Sequence, residues 1–133
     1  MNHALDACAM LAYLRAEPGG SNVAAILGDP MAHSYAHTIN LIEVYYDFIR
    51  RSSVNDAQRA LAALRADGVV ERRDMSRQFA ERVGQLKARG KISLADCFCI
   101  VLAQEISGQV VTSDHHEFDP LVPLGIVPIY FIR

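Results

Sequence analysis

The stretch SLADCFCIVLAQEISGQVVTSD, residues 93–114, decides the fold. Its first half predicts a helix to about Ile106 that is apolar on nearly every side, and such a helix is normally buried. Gly108 ends this helix, and Gln109–Thr112 then predicts a short buried strand that is soon followed by an acid, Asp114. A buried helix that leads directly into a buried strand is typical of an α/β protein.

The same alternation of helix and strand extends on both sides of this stretch. Further strands are predicted at His3–Leu5, His33–Ala36, Val69–Glu71 and Ile126–Phe131. Helices are predicted at Ala7–Arg15, Ser21–Leu27, Asn40–Arg51, Asp56–Arg65 and Met75–Ala88, with a short turn or helix at His115–Leu121. This order predicts an α/β fold: a parallel sheet of about four to five strands with helices on both faces. The length of 133 residues is most simply one domain, residues 1–133.

The composition is that of a globular protein, with 51% hydrophobic and 21% charged residues. No apolar run approaches the roughly 20 residues of a membrane span, and the N-terminus lacks the basic region and apolar core of a signal peptide. We therefore expect a cytoplasmic protein with no membrane association. The three cysteines are an odd number without zinc-ligand spacing, and Cys97 and Cys99 are interpreted as small buried hydrophobes.

Four acidic residues occupy positions that packing alone explains poorly: Asp6, Glu43, Asp96 and Asp114. Asp6 and Asp114 follow predicted strands, and ligands of parallel sheets collect at the carboxyl ends of the strands. Carboxylates drawn together from separate elements repel one another unless a cation binds them, and hard divalent cations are the usual partners. The pattern therefore points to metal-dependent phosphate chemistry.

Three of these acids also have a purely structural interpretation. Asp6 can cap the first helix, and Asp114 can form an Asx turn or cap the next helix. Glu43 shares a helical stripe with Asn40 and Asp47, which is consistent with an exposed surface position. Both interpretations stay open for each residue.

Asp96 is the only polar residue between Leu94 and Ala103. It can form a capping box with Ser93, in which the two residues satisfy each other's backbone N–H groups. A carboxylate on a buried helix nevertheless costs several kcal/mol unless it is paired or binds a metal. The two interpretations are compatible, because the start of this helix can border the same cleft as the other acids.

Basic residues are concentrated in one segment. Seven of the 13 Lys and Arg residues lie there: Arg72, Arg73, Arg77, Arg82, Lys87, Arg89 and Lys91. The net charge of −2 is unlike that of a duplex-binding module, which normally carries a clear positive balance. The segment is either a solvated helix face or a track for a phosphate backbone beside the acids.

Other chemistries lack their sequence signatures. There is no P-loop, no dinucleotide-binding glycine fingerprint and no Gly-x-Ser-x-Gly elbow. The run Asp6-Ala7-Cys8 also lacks the second acid that a haloacid-dehalogenase-like phosphatase carries after its first strand.

Four motifs in sequence order resemble those of a PIN domain. They are LDACAML at 5–11, NLIE at 40–43, ISLAD at 92–96 and VTSD at 111–114, the last followed by Phe118. The chain is most similar to the VapC-type toxin ribonucleases of bacterial toxin–antitoxin modules, and the resemblance spans essentially all of it.

The resemblance assigns roles to the residues that match it. It implies a catalytic quartet at Asp6, Glu43, Asp96 and Asp114, with Asp6, Asp96 and Asp114 as ligands of Mg²⁺ or Mn²⁺. Thr112 would not bind the metal itself but would orient one of these carboxylates or a water. Glu117 stands where family members often carry Asp and is a candidate additional acid. His115 and His116 are not expected in the pattern and are left out of the metal site.

The activity implied by the resemblance is a metal-dependent endoribonuclease, in which one or two ions activate water for hydrolysis of an RNA phosphodiester bond. The alternative is a catalytically inactive PIN-like module that binds RNA or a protein partner. A cognate antitoxin that lies across the active-site groove, and a homodimer, are further implications. Tyr45, Tyr46 and Phe48 are interpreted either as part of such an interface or as core residues at helical spacing.

Overall fold

The computed structural model describes residues 1–133, built around a parallel sheet of five strands. The strands are β1 Asn2–Leu5, β2 His33–His37, β3 Val69–Arg72, β4 Gln109–Thr112 and β5 Ile129–Phe131. Their order across the sheet is β3-β2-β1-β4-β5, so the chain builds outward from β1 first to one side and then to the other. This arrangement creates a topological switch between β1 and β4, and a ligand-binding crevice is expected at their carboxyl ends.

Helices cover both faces of the sheet, as the sequence predicts. They are α1 Ala7–Leu14, α2 Gly20–Gly28, α3 Thr38–Arg51, α4 Val54–Ala66, α5 Arg77–Ala88, α6 Leu94–Glu105 and α7 His115–Phe118, followed by a 3₁₀ helix at Asp119–Leu124. Ala4 and Val110 pack with α5 and α6, whereas Leu5 and Val111 pack on the other face with α1 to α4. Adjacent residues of one strand thus serve opposite layers. None of the helices combines the length and apolar character needed to cross a bilayer.

The last strand is shorter than the sequence predicts. A strand is expected from Ile126, but β5 begins at Ile129. The 3₁₀ helix ends at Gly125 with φ of 64°, and Pro128 has no N–H to donate to a sheet. Pro128 contributes only its carbonyl, which accepts the N–H of Val110 at 3.0 Å.

Gly108 joins α6 to β4 at a point where no side chain fits. A Cβ at this position would lie 2.3 Å from the carbonyl oxygen of Asn2, at the start of β1. We expect Gly108→Ala to lower the free energy of unfolding by about 3 kcal/mol, because the obstructing atom belongs to the backbone of a paired strand. Urea denaturation measures this change.

Gly84 provides the matched control for that substitution. It lies within α5, and a Cβ there would meet nothing within 4 Å. Gly84→Ala should raise the free energy of unfolding by about 0.5–1 kcal/mol, because alanine is the better helix former. Similar effects of the two substitutions would contradict the close approach of β1 and β4.

Candidate active site

The carboxyl ends of β1 and β4 bring two of the predicted acids to one edge of the sheet. Asp6 directly follows β1, and Asp114 lies two residues beyond the end of β4. The two strands pair Leu5 with Val111, and the N–H of Asp6 donates to the carbonyl of Val111 at 3.1 Å. Both acids therefore lie at the topological switch point, where parallel α/β sheets bind ligands.

Asp6 is buried, with 1% of its surface exposed, and both of its carboxylate oxygens accept hydrogen bonds. Oδ1 accepts the N–H of Ala9 at 2.8 Å and so caps α1, while Oδ2 accepts from the hydroxyl of Thr112. Burial raises the pKa of Asp6 to about 7, and nearby Asp96 and Asp114 add to the rise against the effect of the two hydrogen bonds. Asp6 is thus a helix cap that also faces two other acids.

A chain of hydrogen bonds, called here the site network, connects β1 to the start of α6. Its members are Asp6, Thr112, Asp114, Glu117, Ser93 and Asp96. The Thr112 hydroxyl donates to Asp6 and accepts the N–H of Asp114 at 2.9 Å. Asp114 Oδ1 accepts the N–H of Glu117 at 3.0 Å, which caps α7. The loop after β4 is thereby fixed against β1.

Glu117 changes the way in which α6 is capped. The predicted capping box requires Ser93 Oγ to accept the N–H of Asp96, and the Asp96 carboxylate to accept the N–H of Ser93. The first bond is present at 3.1 Å, but the N–H of Ser93 donates to Glu117 Oε2 at 3.3 Å. Only half of the box forms, because Glu117 takes the place of the Asp96 carboxylate, which is left to face the other acids.

The remaining acids are close enough to influence one another electrostatically. Burial raises the pKa of Asp96 to about 7 against the effect of a hydrogen bond with the Ser93 side chain, and Glu117, Glu43 and Asp114 add to the rise. Glu43 is half-buried on α3 rather than exposed, and burial raises its pKa as well. The thiol of Cys8 has its pKa raised to about 12, first by desolvation and then by all four acids of the predicted quartet. All four acids of the predicted quartet therefore lie within electrostatic range of the start of α1.

Asn40 belongs to this site although the sequence analysis treated it as part of a surface stripe. It is fully buried, and its Nδ2 donates to the carbonyl of Ala95 at 3.2 Å, which fixes α3 to the first turn of α6. A hydrogen bond from Asn40 partly offsets the rise in the pKa of Glu43. Its own Oδ1 is buried without a hydrogen-bond partner. Asn40 lies three residues before Glu43, and this spacing alone indicates that the two side chains share one helix face.

The acids match a divalent cation in chemistry but not in spacing. Their donor atoms are all carboxylate oxygens, which Mg²⁺ and Mn²⁺ prefer. However, no group of three or more His, Cys, Asp or Glu side chains lies close enough together to hold an ion. Binding a cation would require the carboxylates to move toward one another.

The two histidines of α7 have separate environments. The ring of His115 stacks on Phe131, with centroids 4.2 Å apart, and its Nε2–H donates to the carbonyl of Arg133 at 2.7 Å. His115 therefore connects α7 to the end of β5 instead of the acids. His116 is exposed and lines a neighbouring pocket.

Thr112→Val is expected to raise the pKa of Asp6 above its present value of about 7. The substitution keeps the shape of a fully buried side chain but removes the hydroxyl that donates to the ionised carboxylate. A pH titration of the Asp6 carboxyl carbon by NMR, in metal-free protein, measures the shift. Thr112→Ser keeps the hydroxyl and is the matched control, and a pKa that is the same in both variants would exclude this role for Thr112.

Comparisons with known structures agree with this fold. The similar solved structures include VapBC2 from Rickettsia felis bound to a promoter DNA fragment, at 15% identity and a TM-score of 0.75, covering 98% of each chain. A toxin–antitoxin complex from Klebsiella pneumoniae matches at 16% identity and a TM-score of 0.69, also covering 98% of each chain. VapC20 from Mycobacterium tuberculosis, a sarcin-ricin loop cleaving toxin, matches at 14% identity and a TM-score of 0.65, covering 84% of this chain and 89% of that chain. Comparison with curated protein sequences gave no significant match.

The sequence also matches the family model for the PIN domain over residues 4–120. That segment includes the end of β1, all of β4 and every acid of the site, from Asp6 to Glu117. On this match over most of its length, the chain belongs to the PIN domain family.

Proposed function

We propose that the protein is a divalent-metal-dependent endoribonuclease and the toxin of a toxin–antitoxin pair. The observation that supports the proposal is that Asp6, Glu43, Asp96 and Asp114 act electrostatically on common groups near the carboxyl ends of β1 and β4, with raised pKa values at the first three. Carboxylates in this situation are costly unless a cation binds them. The similarity to VapC20, a toxin that cleaves the sarcin-ricin loop, supports RNA as the substrate class.

Each residue of the site has a proposed role. Asp6, Asp96 and Asp114 are the proposed ligands of Mg²⁺ or Mn²⁺. When bound, such an ion lowers the pKa of a water molecule and offsets the negative charge of a phosphate. Glu43 is proposed to orient that water and to accept its proton, since a raised pKa suits a group that gains a proton near neutral pH. Thr112 holds Asp6 in place.

The proposed partner is a protein antitoxin in the cytoplasm, and the proposed assembly includes a homodimer. A similar chain occurs in the toxin–antitoxin complex from Klebsiella pneumoniae. A groove of about 240 Å³ between α3, α4 and β3 has a mostly apolar lining that includes Tyr45 and Ile42. Tyr46 is exposed, and Phe48 is half-buried beneath Arg15. Phe48 packs against the core, whereas Tyr45 in the groove and the exposed Tyr46 are available to an interface.

A noncatalytic PIN module that binds RNA or a protein is the second candidate. One observation favours it, namely that the acids do not stand close enough together to hold an ion as they are placed. Such a module would bind Mn²⁺ no better with Asp96 than with asparagine at that position.

The deciding experiment incubates the purified protein, free of any partner, with a panel of structured RNAs in Mg²⁺, Mn²⁺ or EDTA. We expect cleavage at a few sites that requires metal and is lost in Asp6→Asn. Equal cleavage by the two proteins would assign the activity to a contaminant or to another site. No cleavage, combined with no rise in melting temperature on adding Mn²⁺, would favour the noncatalytic module.

A further inference from the structure

In the basic segment between residues 72 and 91, some side chains form contacts within the chain and others do not. Contacts within the chain hold four of them: Arg72, Arg73, Arg82 and Lys87. The side chains of the other three, Arg77, Arg89 and Lys91, are exposed and form neither an ion pair nor a hydrogen bond within the chain. The last two of these adjoin a pocket.

Arg89 and Lys91 lie on either side of Gly90, in the loop between α5 and α6, and line a pocket of about 380 Å³. Its apolar floor consists of Leu86, Ile92, Leu121, Leu124 and Ile126. His116 and Glu117 complete the rim from α7. We refer to this cavity as the Arg89–Lys91 pocket. It combines an apolar floor with a positive edge in a protein whose net charge is −2.

The pocket borders the acidic site, and Glu117 belongs to both. This side chain lines the pocket, and its carboxylate accepts the N–H of Ser93 within the site network. The same loop continues from Lys91 through Ile92 and Ser93 into the helical turn that carries Asp96. A chain of nucleotides whose phosphate lies at the acids would thus reach the pocket with a neighbouring residue.

We propose that the Arg89–Lys91 pocket binds an unpaired nucleotide of the RNA substrate next to the cleaved phosphate. This inference rests on the proposed function and adds a binding site to it. Arg89 and Lys91 contact the backbone phosphate, and the base lies on the apolar floor with His116 available for stacking.

The volume of the pocket excludes a duplex and suits a single small group. A cavity of about 380 Å³ lies at the lower end of the range for small-ligand sites. Bases enter such cavities only when they are unpaired and unstacked, as in loops, bulges and single strands. The pocket therefore selects RNA that is single-stranded at this position, and it supplies positive charge where the neighbouring acids would repel phosphate.

The test measures binding of a fluorescently labelled single-stranded RNA to the full chain in EDTA, where metal-dependent cleavage is excluded. We expect Arg89→Ala combined with Lys91→Ala to weaken binding by at least about 10-fold. The slope of log affinity against log salt should fall by about 0.7 for each lost phosphate contact. Leu124→Ala, which changes the floor without changing the charge, should weaken binding by at least about 3-fold.

The matched control is Arg50→Ala combined with Arg51→Ala. These residues are exposed in the last turn of α3, outside the pocket, and their replacement changes the net charge by the same amount. An equal loss of affinity in the two double variants would overturn the proposal, because the change in net charge alone would then explain the weaker binding. Failure of the unmodified protein to bind RNA saturably would overturn it as well.

Two further outcomes separate this proposal from the nuclease activity and from a protein occupant. Metal-dependent RNA cleavage with an unchanged KM in the Arg89, Lys91 variant would preserve the nuclease and overturn the pocket. Pocket-dependent RNA binding without any cleavage would support the pocket and overturn the nuclease. A change from dimer to monomer in light scattering, with RNA affinity unchanged, would mean that a second copy of the chain occupies the pocket and would overturn its role in RNA binding.

Discussion

Replacing Asp96 with asparagine is expected to lower the rate of metal-dependent RNA cleavage by at least about 100-fold, because Asp96 is a proposed metal ligand and loss of a residue that merely supports a ligand already costs about 10- to 100-fold. The reason is that the Asp96 carboxylate is not committed to the helix cap, since Glu117 accepts the N–H of Ser93 in its place. The backbone N–H of Asp96, which asparagine keeps, makes the contact that caps α6. Initial cleavage rates on a single RNA substrate measure the loss.

Stability distinguishes this role from a purely structural one. If the Asp96 carboxylate served the cap, its loss would cost about 0.5–2 kcal/mol. We expect instead that Asp96→Asn melts at the same temperature as the native protein or higher at pH 7.5, because a buried carboxyl with a raised pKa is removed. Glu81→Gln removes an exposed acid from α5 and should change neither activity nor stability. If Asp96→Asn cleaves RNA at the normal rate but has a lower melting temperature, the role of Asp96 is to cap α6 and the proposed metal-binding role is wrong.

The second large effect is a loss of stability of the metal-free protein as the pH rises. The pKa of Asp6 is about 7 in the folded chain against an ordinary value of 3.8. Between these values the folded chain holds a proton that the unfolded chain has released, so the free energy of unfolding falls by about 1.4 kcal/mol per pH unit. The stabilising contribution is complete below about pH 4 and is lost as the pH passes 7.

Asp6→Asn removes this dependence, because asparagine does not titrate. In urea denaturation with EDTA, the native protein should lose about 3 kcal/mol relative to Asp6→Asn between pH 5 and pH 8. Adding Mn²⁺ at pH 8 should restore stability to the native protein more than to the variant, because an ion that binds only the folded state stabilises it. Parallel pH curves for the two proteins would contradict the raised pKa.

The location of the site could be predicted from local sequence patterns. Asp6 and Asp114 follow short apolar runs, and a strand followed by an acid is recognisable without knowledge of distant residues. Parallel sheet geometry then brings the strand ends to one edge. Asp96 was marked by its polarity within an apolar helix. Each of these signals depends only on residues that are neighbours in the sequence, so each can be recognised without the structure.

The connections between the acids could not be predicted in the same way. Glu117 reaches Ser93 across 24 residues, and Asn40 reaches Ala95 across 55. Both contacts depend on how closely α7 and α3 approach the start of α6, which no local pattern encodes. The capping box was therefore predicted with the wrong acceptor for the N–H of Ser93, and Asn40 was placed on the surface. The assignment of metal ligands stays a prediction.

The site network has a consequence for how this end of the molecule moves. Loops at the edge of a sheet are normally the first segments to open locally, each at its own small free-energy cost. Here the loop after β4 and the loop before α6 restrain each other, because backbone N–H groups on both donate to side chains of the network. The hydrogen bond from the N–H of Ser93 to Glu117 joins the two loops, so the opening of either loop also loses this contact. A ligand thus meets a backbone that is already ordered, and the part of the chain that must adjust to it is the carboxylate side chains rather than the loops.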